Sequence, residues 1–129
     1  VLSAHVGSWE LSGRWMTAYP QRGLNLVMLS GEDPRIRAQV DKAMGGTPYR
    51  IIDLADPVRA SLEIAGRLGA GETCCMLGDR TAGDGAHTVR VPFLGSPASF
   101  PVGPFAAAAA TGAPIIVCFC LAVGAGRYR

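Results

Sequence analysis

The sequence predicts an α/β fold, a three-layer α/β/α sandwich with a mainly parallel central sheet. Segments such as 24–29 and 73–77 are apolar at nearly every position, which is typical of strands covered on both faces. They alternate with stretches whose apolar residues recur every three or four positions, as in amphipathic helices. This alternation implies crossover connections between parallel strands, and 129 residues are enough for one such domain.

The predicted elements follow one another along the whole chain. In order we predict strands over 1–4, 24–29, 49–54, 73–77, 88–93 and 115–123, and helices over 7–19, 34–44, 57–68 and 105–111. A loop is predicted between the last two strands, over 94–104, because five Gly and Pro residues interrupt it.

Two of the helices share one start signal, an Asp followed by a Pro. The carboxylates of Asp33 and Asp56 can accept hydrogen bonds from the first turn. The prolines that follow lack the N–H group that would have no partner there. The stripes expected to face the core are Ile36, Val40 and Met44 in one helix, and Val58, Leu62, Ala65 and Leu68 in the other.

Composition excludes several classes of protein and of site. A hydrophobic content of 49% and a net charge of +2 fit neither a disordered chain nor a general nucleic-acid-binding protein. The four cysteines lie in apolar strands, which predicts small core side chains and not zinc ligands. The one lysine, Lys42, follows Asp41 and not Gly, so a Walker-type phosphate loop is absent. We therefore expect no metal and no nucleic-acid partner.

A long neutral stretch, 91–126, contains no Asp, Glu, Lys or Arg. Its prolines and glycines leave no apolar segment of the roughly 20 residues that a membrane-spanning helix needs. We interpret it as a loop, a short helix and a core strand. Because the chain begins and ends in apolar strands, we expect residues 1–129 to be the central part of a single longer domain, truncated at both ends.

The most informative motif is His-Val-Gly-Ser-Trp-Glu over residues 5–10. His5 lies where a predicted strand ends and a helix begins, the place where open α/β sheets hold catalytic groups. Glu10 lies in the first turns of that helix, and Gly7 permits a turn tight enough for its carboxylate to face the imidazole. Such a carboxylate would make His5 a better general base. From the spacing alone, a helix-entry histidine and a solvated glutamate near the helix dipole remain the more ordinary interpretation.

Two further elements carry candidate functional residues. Asp79 and Arg80 follow a core strand, so they should lie at the same edge of the sheet as His5, although turn residues or an ion pair would have the same pattern. The proline-rich stretch 91–104 could line a pocket for an apolar chain, or its last amides could meet an anion. It could equally be a packed surface loop.

Taken together and in order, these motifs resemble the lysophospholipid acyltransferase superfamily, in particular its bacterial lipid A lauroyl/myristoyl acyltransferase branch. Residues 5–10 match the H-x4-[DE] box of that superfamily, and Phe100, Pro101 and Gly103 match its F-P-x-G segment. Val102 stands where the glycerophosphate branch has Glu, which argues for a lipid A-like acceptor. The resemblance covers nearly the whole chain.

The resemblance implies a fold like that of glycerol-3-phosphate acyltransferase and transfer of an acyl group from an acyl-carrier-protein or CoA thioester to a lipid or glycolipid hydroxyl. It implies that His5 is the general base and Glu10 orients it. Substrate contacts would come from Asp79, Arg80, Phe100, Pro101 and Gly103. It requires no cofactor, and it implies a place at the cytoplasmic face of the bacterial inner membrane, peripheral or with an anchor outside residues 1–129.

Two other interpretations fit the same residues. The chain could be a non-catalytic α/β module that binds a lipid or a nucleotide-sugar, in which case His5 and Glu10 would not interact. A glycosyltransferase-like domain would need a carboxylate-metal motif, and Asp79 alone offers little of one.

Overall fold

A four-stranded parallel sheet organises the protein in its computed structural model, which describes residues 1–8, 22–29, 34–81 and 87–129. The strands are β1 (Leu2–Ser3), β2 (Leu24–Met28), β3 (Arg50–Asp53) and β4 (Thr73–Leu77). They lie in the order β1-β4-β2-β3, and every neighbouring pair is parallel. The prediction of a mainly parallel sheet is confirmed.

Helices cover both faces of this sheet. They are α1 (Pro34–Met44) between β2 and β3, and α2 (Pro57–Gly69) between β3 and β4. Leu26 of β2 packs with residues of α1, whereas the next residue, Val27, packs against the cluster that contains α2. Because successive strand residues point to opposite faces, the two helices lie on opposite sides of the sheet. The three-layer sandwich is therefore confirmed.

Each face has its own small core. One contains Leu24, Leu26, Val40 and Met44, and the other contains Ile52, Ala60, Ile64 and Cys74. Val40 and Met44 confirm two positions of the stripe predicted for α1. Cys74 is buried in a core, as predicted for the cysteines of this strand.

The start of α2 confirms its predicted cap, but the buried face of this helix differs from the prediction. The Asp56 carboxylate accepts a hydrogen bond from the Arg59 amide at 3.1 Å, and Pro57 begins the helix. Val58 and Leu62 are 73% and 72% exposed, so the predicted stripe is wrong at these positions. The buried residues are Ala60 and Ile64. The helix has two apolar stripes, and periodicity alone does not tell which of them faces the sheet.

The predicted loop over 94–104 is also wrong, because most of it forms a β-hairpin. Strands β5 (Thr88–Phe93) and β6 (Ser96–Pro101) pair antiparallel. Pro92 pairs with Pro97, and Pro101 pairs with Thr88. All three prolines occupy non-hydrogen-bonded pairs of the antiparallel ladder. Their nitrogens therefore face the free edges, and none of them removes a ladder hydrogen bond.

Helix α3 (Gly103–Thr111) confirms the predicted Ala-rich helix, and it packs on α2 through Ala107. The buried strand predicted over 115–123 is wrong. The segment forms isolated parallel bridges beside β1, pairing Leu2 with Val117 and Gly7 with Cys120. Most of its large apolar side chains are exposed, including Ile116 and Val117. A second hairpin, β7 (Ala122–Gly124) and β8 (Arg127–Tyr128), follows.

Within the ranges described, no helix combines the length and the hydropathy needed to cross a bilayer. The helix predicted over 7–19 is wrong at its start, because Gly7 forms a bridge with Cys120 and neither Gly7 nor Ser8 is helical. The rest of that helix, the Asp33 cap and most of the turn over 81–86 lie outside the described residues.

Candidate active site

His5 and Asp79 form a two-point contact at the carboxyl ends of neighbouring strands. The His5 amide donates a hydrogen bond to Asp79 Oδ2 at 2.9 Å, and His5 Nδ1 lies 2.9 Å from Asp79 Oδ1. Both carboxylate oxygens are therefore engaged by one residue. This arrangement fixes the imidazole in position and in rotation relative to the sheet.

The register of β1 and β4 brings these two residues together. Ser3 pairs with Leu77, and the Gly78 amide donates to the Ser3 carbonyl at 2.8 Å. His5 and Asp79 each lie two residues beyond this last pair. A Cβ on Gly78 would lie 2.8 Å from Leu2 Cδ1, so glycine there lets the two strand ends approach closely.

Gly7 holds the backbone after His5 against the segment that bridges to β1. Its φ is +74°, and a Cβ at this position would lie 2.0 Å from the Cys120 carbonyl oxygen. That carbonyl accepts a hydrogen bond from the Ser8 amide at 2.9 Å. The glycine of the motif therefore serves a close backbone approach as well as a tight turn.

The charge of Asp79 determines the role of His5 Nδ1 in their contact. Partial burial raises the pKa of Asp79, but hydrogen bonds from the His5 amide and ring, together with attraction to the ring, outweigh it and lower the pKa. The ionised carboxylate can only accept hydrogen bonds. Its contact with the ring therefore requires a proton on Nδ1, and Nε2 takes no part in this contact.

Both side chains of the pair are partly open to solvent. His5 is 33% exposed and Asp79 is 28% exposed. The imidazole is therefore accessible to a substrate while its carboxylate partner is shielded enough to hold it. Such a pair has the geometry of a general base with an orienting acid, and it can remove a proton from a hydroxyl group.

The structure does not bring all the predicted site residues together. Glu10 lies outside the described residues. Arg80 is exposed next to Asp79. Phe100 and Pro101 end strand β6, and Gly103 begins α3. In the described part of the chain, no hydrogen bond or ion pair links Arg80, Phe100, Pro101 or Gly103 to His5. Among the same residues, no group of three His, Cys, Asp or Glu side chains is placed to hold a metal ion.

The cysteines of β4 are not suited to act as nucleophiles. Burial raises the pKa of the Cys74 thiol, and it raises the pKa of the Cys75 thiol to about 11. Both therefore remain protonated at neutral pH, and the protonated thiol is unreactive.

Sequence reasoning placed Asp79 at the correct edge of the sheet but assigned it to the substrate. It missed the contact with His5, because the sequence does not specify that β4 is the neighbour of β1. The sequence did contain one signal: His5 and Asp79 each follow the end of their strand by two positions. Once β1 and β4 are known to be neighbours, this spacing places the two residues side by side.

The model of the family described as bacterial lipid A biosynthesis acyltransferase matches residues 1–129. No curated protein and no solved structure matches significantly. Since the family model matches the whole chain, the protein belongs to the bacterial lipid A biosynthesis acyltransferase family.

Proposed function

We propose that the protein transfers a fatty acyl group from an acyl-carrier-protein or CoA thioester to a hydroxyl of a lipid or glycolipid acceptor. The observation that carries this proposal is the double contact between His5 and Asp79. This contact leaves Nε2 unused and holds the imidazole at the edge of the sheet where α/β enzymes hold their substrates. Membership of an acyltransferase family supplies the reaction class.

In the proposed reaction, Nε2 of His5 takes the proton of the acceptor hydroxyl while the hydroxyl oxygen attacks the carbonyl carbon of the thioester. The tetrahedral intermediate then collapses, the carbon–sulfur bond breaks, and the thiolate takes the proton from Nε2. The imidazolium that forms between these steps is stabilised by the Asp79 carboxylate. Because the thioester is already activated, the protein needs only to position the two substrates and move this proton.

Asp79 acts in this proposal as a positioning residue, since it contacts His5 and not the substrate. Glu10 remains the second candidate for that role, from the H-x4-[DE] box. Arg80 is exposed beside the pair and carries a fixed positive charge, so it suits the negative charge of a donor, an acceptor or the developing oxyanion. Phe100, Pro101 and Gly103 are proposed to contact the acyl chain.

The location proposed for this reaction is the cytoplasmic face of the bacterial inner membrane, where a lipid acceptor and a soluble thioester donor meet. A peripheral position, or an anchor outside residues 1–129, would satisfy it. The β5–β6 hairpin exposes apolar side chains, which supports contact with a lipid phase. No cofactor enters the proposed steps.

The test compares the two histidines of the chain. His5→Ala should abolish acyl transfer, measured by mass spectrometry of the lipids of cells that express the protein or the variant. His87→Ala is the matched control, because the only hydrogen bond described for His87 is accepted by its backbone carbonyl, from the Val102 amide. Full transfer by His5→Ala would refute the proposal. If the protein binds lipid and transfers nothing, it is the non-catalytic module.

A further inference from the structure

The β5–β6 hairpin exposes one apolar face. Val89, Val91 and Phe93 alternate along β5, and their partners Phe100 and Ala98 continue the same face on β6. The rings of Phe93 and Phe100 meet edge to face, with centroids 5.5 Å apart. Val89, Val91 and Phe93 are nevertheless exposed, Phe93 to 52%. A two-stranded ribbon with such a face is unusual at a surface that meets only water.

The tip of the hairpin carries an apolar residue under strain. Leu94 is 90% exposed and has φ +50°, and it is the only residue other than glycine with positive φ in the described ranges. With Gly95 at φ +84° it forms a two-residue turn in which both central residues are left-handed. Asn followed by Gly is the favoured pair for such a turn. A leucine there costs conformational energy and exposes a large apolar side chain, which points to a function for the side chain.

The charge of this part of the chain selects the kind of surface that it can meet. Residues 87–129 contain three arginines and no Asp or Glu, so the positive net charge of the protein lies there. Arg90 lies within the hairpin itself. Apolar side chains at a tip with a cation behind them are complementary to a lipid surface with anionic headgroups.

We propose that the β5–β6 hairpin docks the protein on a bilayer that contains anionic lipids. Phe93 and Leu94 enter the interface, and Arg90 contacts headgroups. The choice of a lipid surface over another protein rests on the proposed function, which requires a membrane lipid as acceptor. Along the chain, the hairpin comes after the strand end that carries Asp79.

The experiment measures sedimentation of the purified protein with vesicles of phosphatidylcholine alone and of phosphatidylcholine mixed with phosphatidylglycerol. Leu94→Asn should weaken binding to the mixed vesicles about tenfold, since one exposed leucine no longer enters the interface. Asn suits the left-handed turn, so the fold should be preserved, which circular dichroism and thermal unfolding verify. Leu62→Asn is the matched control, because Leu62 is exposed on α2 and should leave binding unchanged.

Charge is tested separately from apolar contact. Arg90→Gln should reduce binding to the mixed vesicles and leave binding to phosphatidylcholine alone unchanged. Equal binding by Leu94→Asn and the unmodified protein would overturn the proposal, as would absence of binding to either vesicle. If Leu94→Asn abolished self-association and left vesicle binding intact, the hairpin would be an interface between two copies, and the proposal would be wrong.

Docking and chemistry fail independently in this design. His5→Ala should bind vesicles like the unmodified protein and transfer no acyl group. Acyl transfer by His5→Ala tests only the proposed reaction. Vesicle binding by Leu94→Asn tests only the docking of the hairpin.

Discussion

Strand β4 has a carboxylate just beyond each of its ends, and the two are held in different ways. At the amino end, Glu72 accepts hydrogen bonds from Asn25 Nδ2 at 2.9 Å and from Arg50 at 3.1 Å, and Arg67 lies 3.5 Å away. Its side chain is 13% exposed. At the carboxyl end, Asp79 is 28% exposed and binds the amide and ring of His5.

The difference lies in what the partners can do. The guanidinium groups around Glu72 keep their charge at every physiological pH, and the network ties β2, β3 and α2 together. The imidazole beside Asp79 can gain and lose a proton, and one of its nitrogens is not used by the contact. One end of the sheet is therefore held by fixed charges, and the other carries a group that can exchange a proton, as the proposed reaction requires.

The largest effect is expected from Asp79→Asn. The amide would offer an N–H group to Nδ1 and favour the wrong tautomer of His5, so kcat for acyl transfer should fall about 100-fold or more while KM changes little. Steady-state kinetics of acyl transfer measures both constants. Asp56→Asn is the control, since Asn also caps a helix and the charge change is the same. Unchanged kcat in Asp79→Asn would make the pair a structural contact.

Gly7→Ala should damage the same edge through the backbone. The new Cβ would overlap the Cys120 carbonyl oxygen, and alanine would be strained at φ +74°. We expect a loss of about 2 kcal/mol or more in the free energy of unfolding, measured with urea, and a parallel loss of transfer. Gly112→Ala separates the two causes, because φ is +69° there and no atom lies within 4 Å of the new Cβ. Equal losses in both variants would exclude the close contact as the cause.

Glu72→Gln should reverse the pattern seen for Asp79. The neutral amide weakens the contacts with Arg50 and Arg67, so Tm should fall by several degrees while transfer, assayed well below Tm, stays unchanged. Glu63→Gln is the control, since Glu63 forms a partly exposed i,i+4 pair with Arg67 at 3.5 Å that contributes little. Loss of activity at full stability would contradict the division between the two ends of the sheet.

The sequence was a better guide to elements than to partners. The Asp-Pro signal located the start of α2, and continuous apolar runs located β2 and β4. Periodicity did not decide which stripe of α2 is buried, because small Ala60 lets the helix approach the sheet on a face that hydropathy alone does not favour. Pro97 and Pro101 predicted a loop over 94–104, but in the structure they lie in a hairpin with their nitrogens at its free edges.

In the candidate site, too, the sequence located a residue but not its partner. His5 was found from a local motif, because five neighbouring residues carry the signal. The contact with Asp79 spans 74 positions and depends on strand order, which arises from packing across the whole sheet. Contacts between residues that are distant in the sequence are therefore the ones that sequence reasoning did not find.

The smallest expected effect is on stability in acid. The pKa values of Glu72 and Asp79 lie below the ordinary values of 4.5 and 3.8 for these groups. Each carboxylate therefore stabilises the fold at pH values above its ordinary pKa, and this contribution is lost as the pH falls through the lowered pKa. Glu72→Gln and Asp79→Asn should each flatten the decline of the unfolding free energy in acid, measured with urea at a series of pH values. The change in Glu72→Gln should begin at the higher pH, because its ordinary pKa is higher. A steeper decline in either variant would show that the carboxylate is not stabilised by its partners.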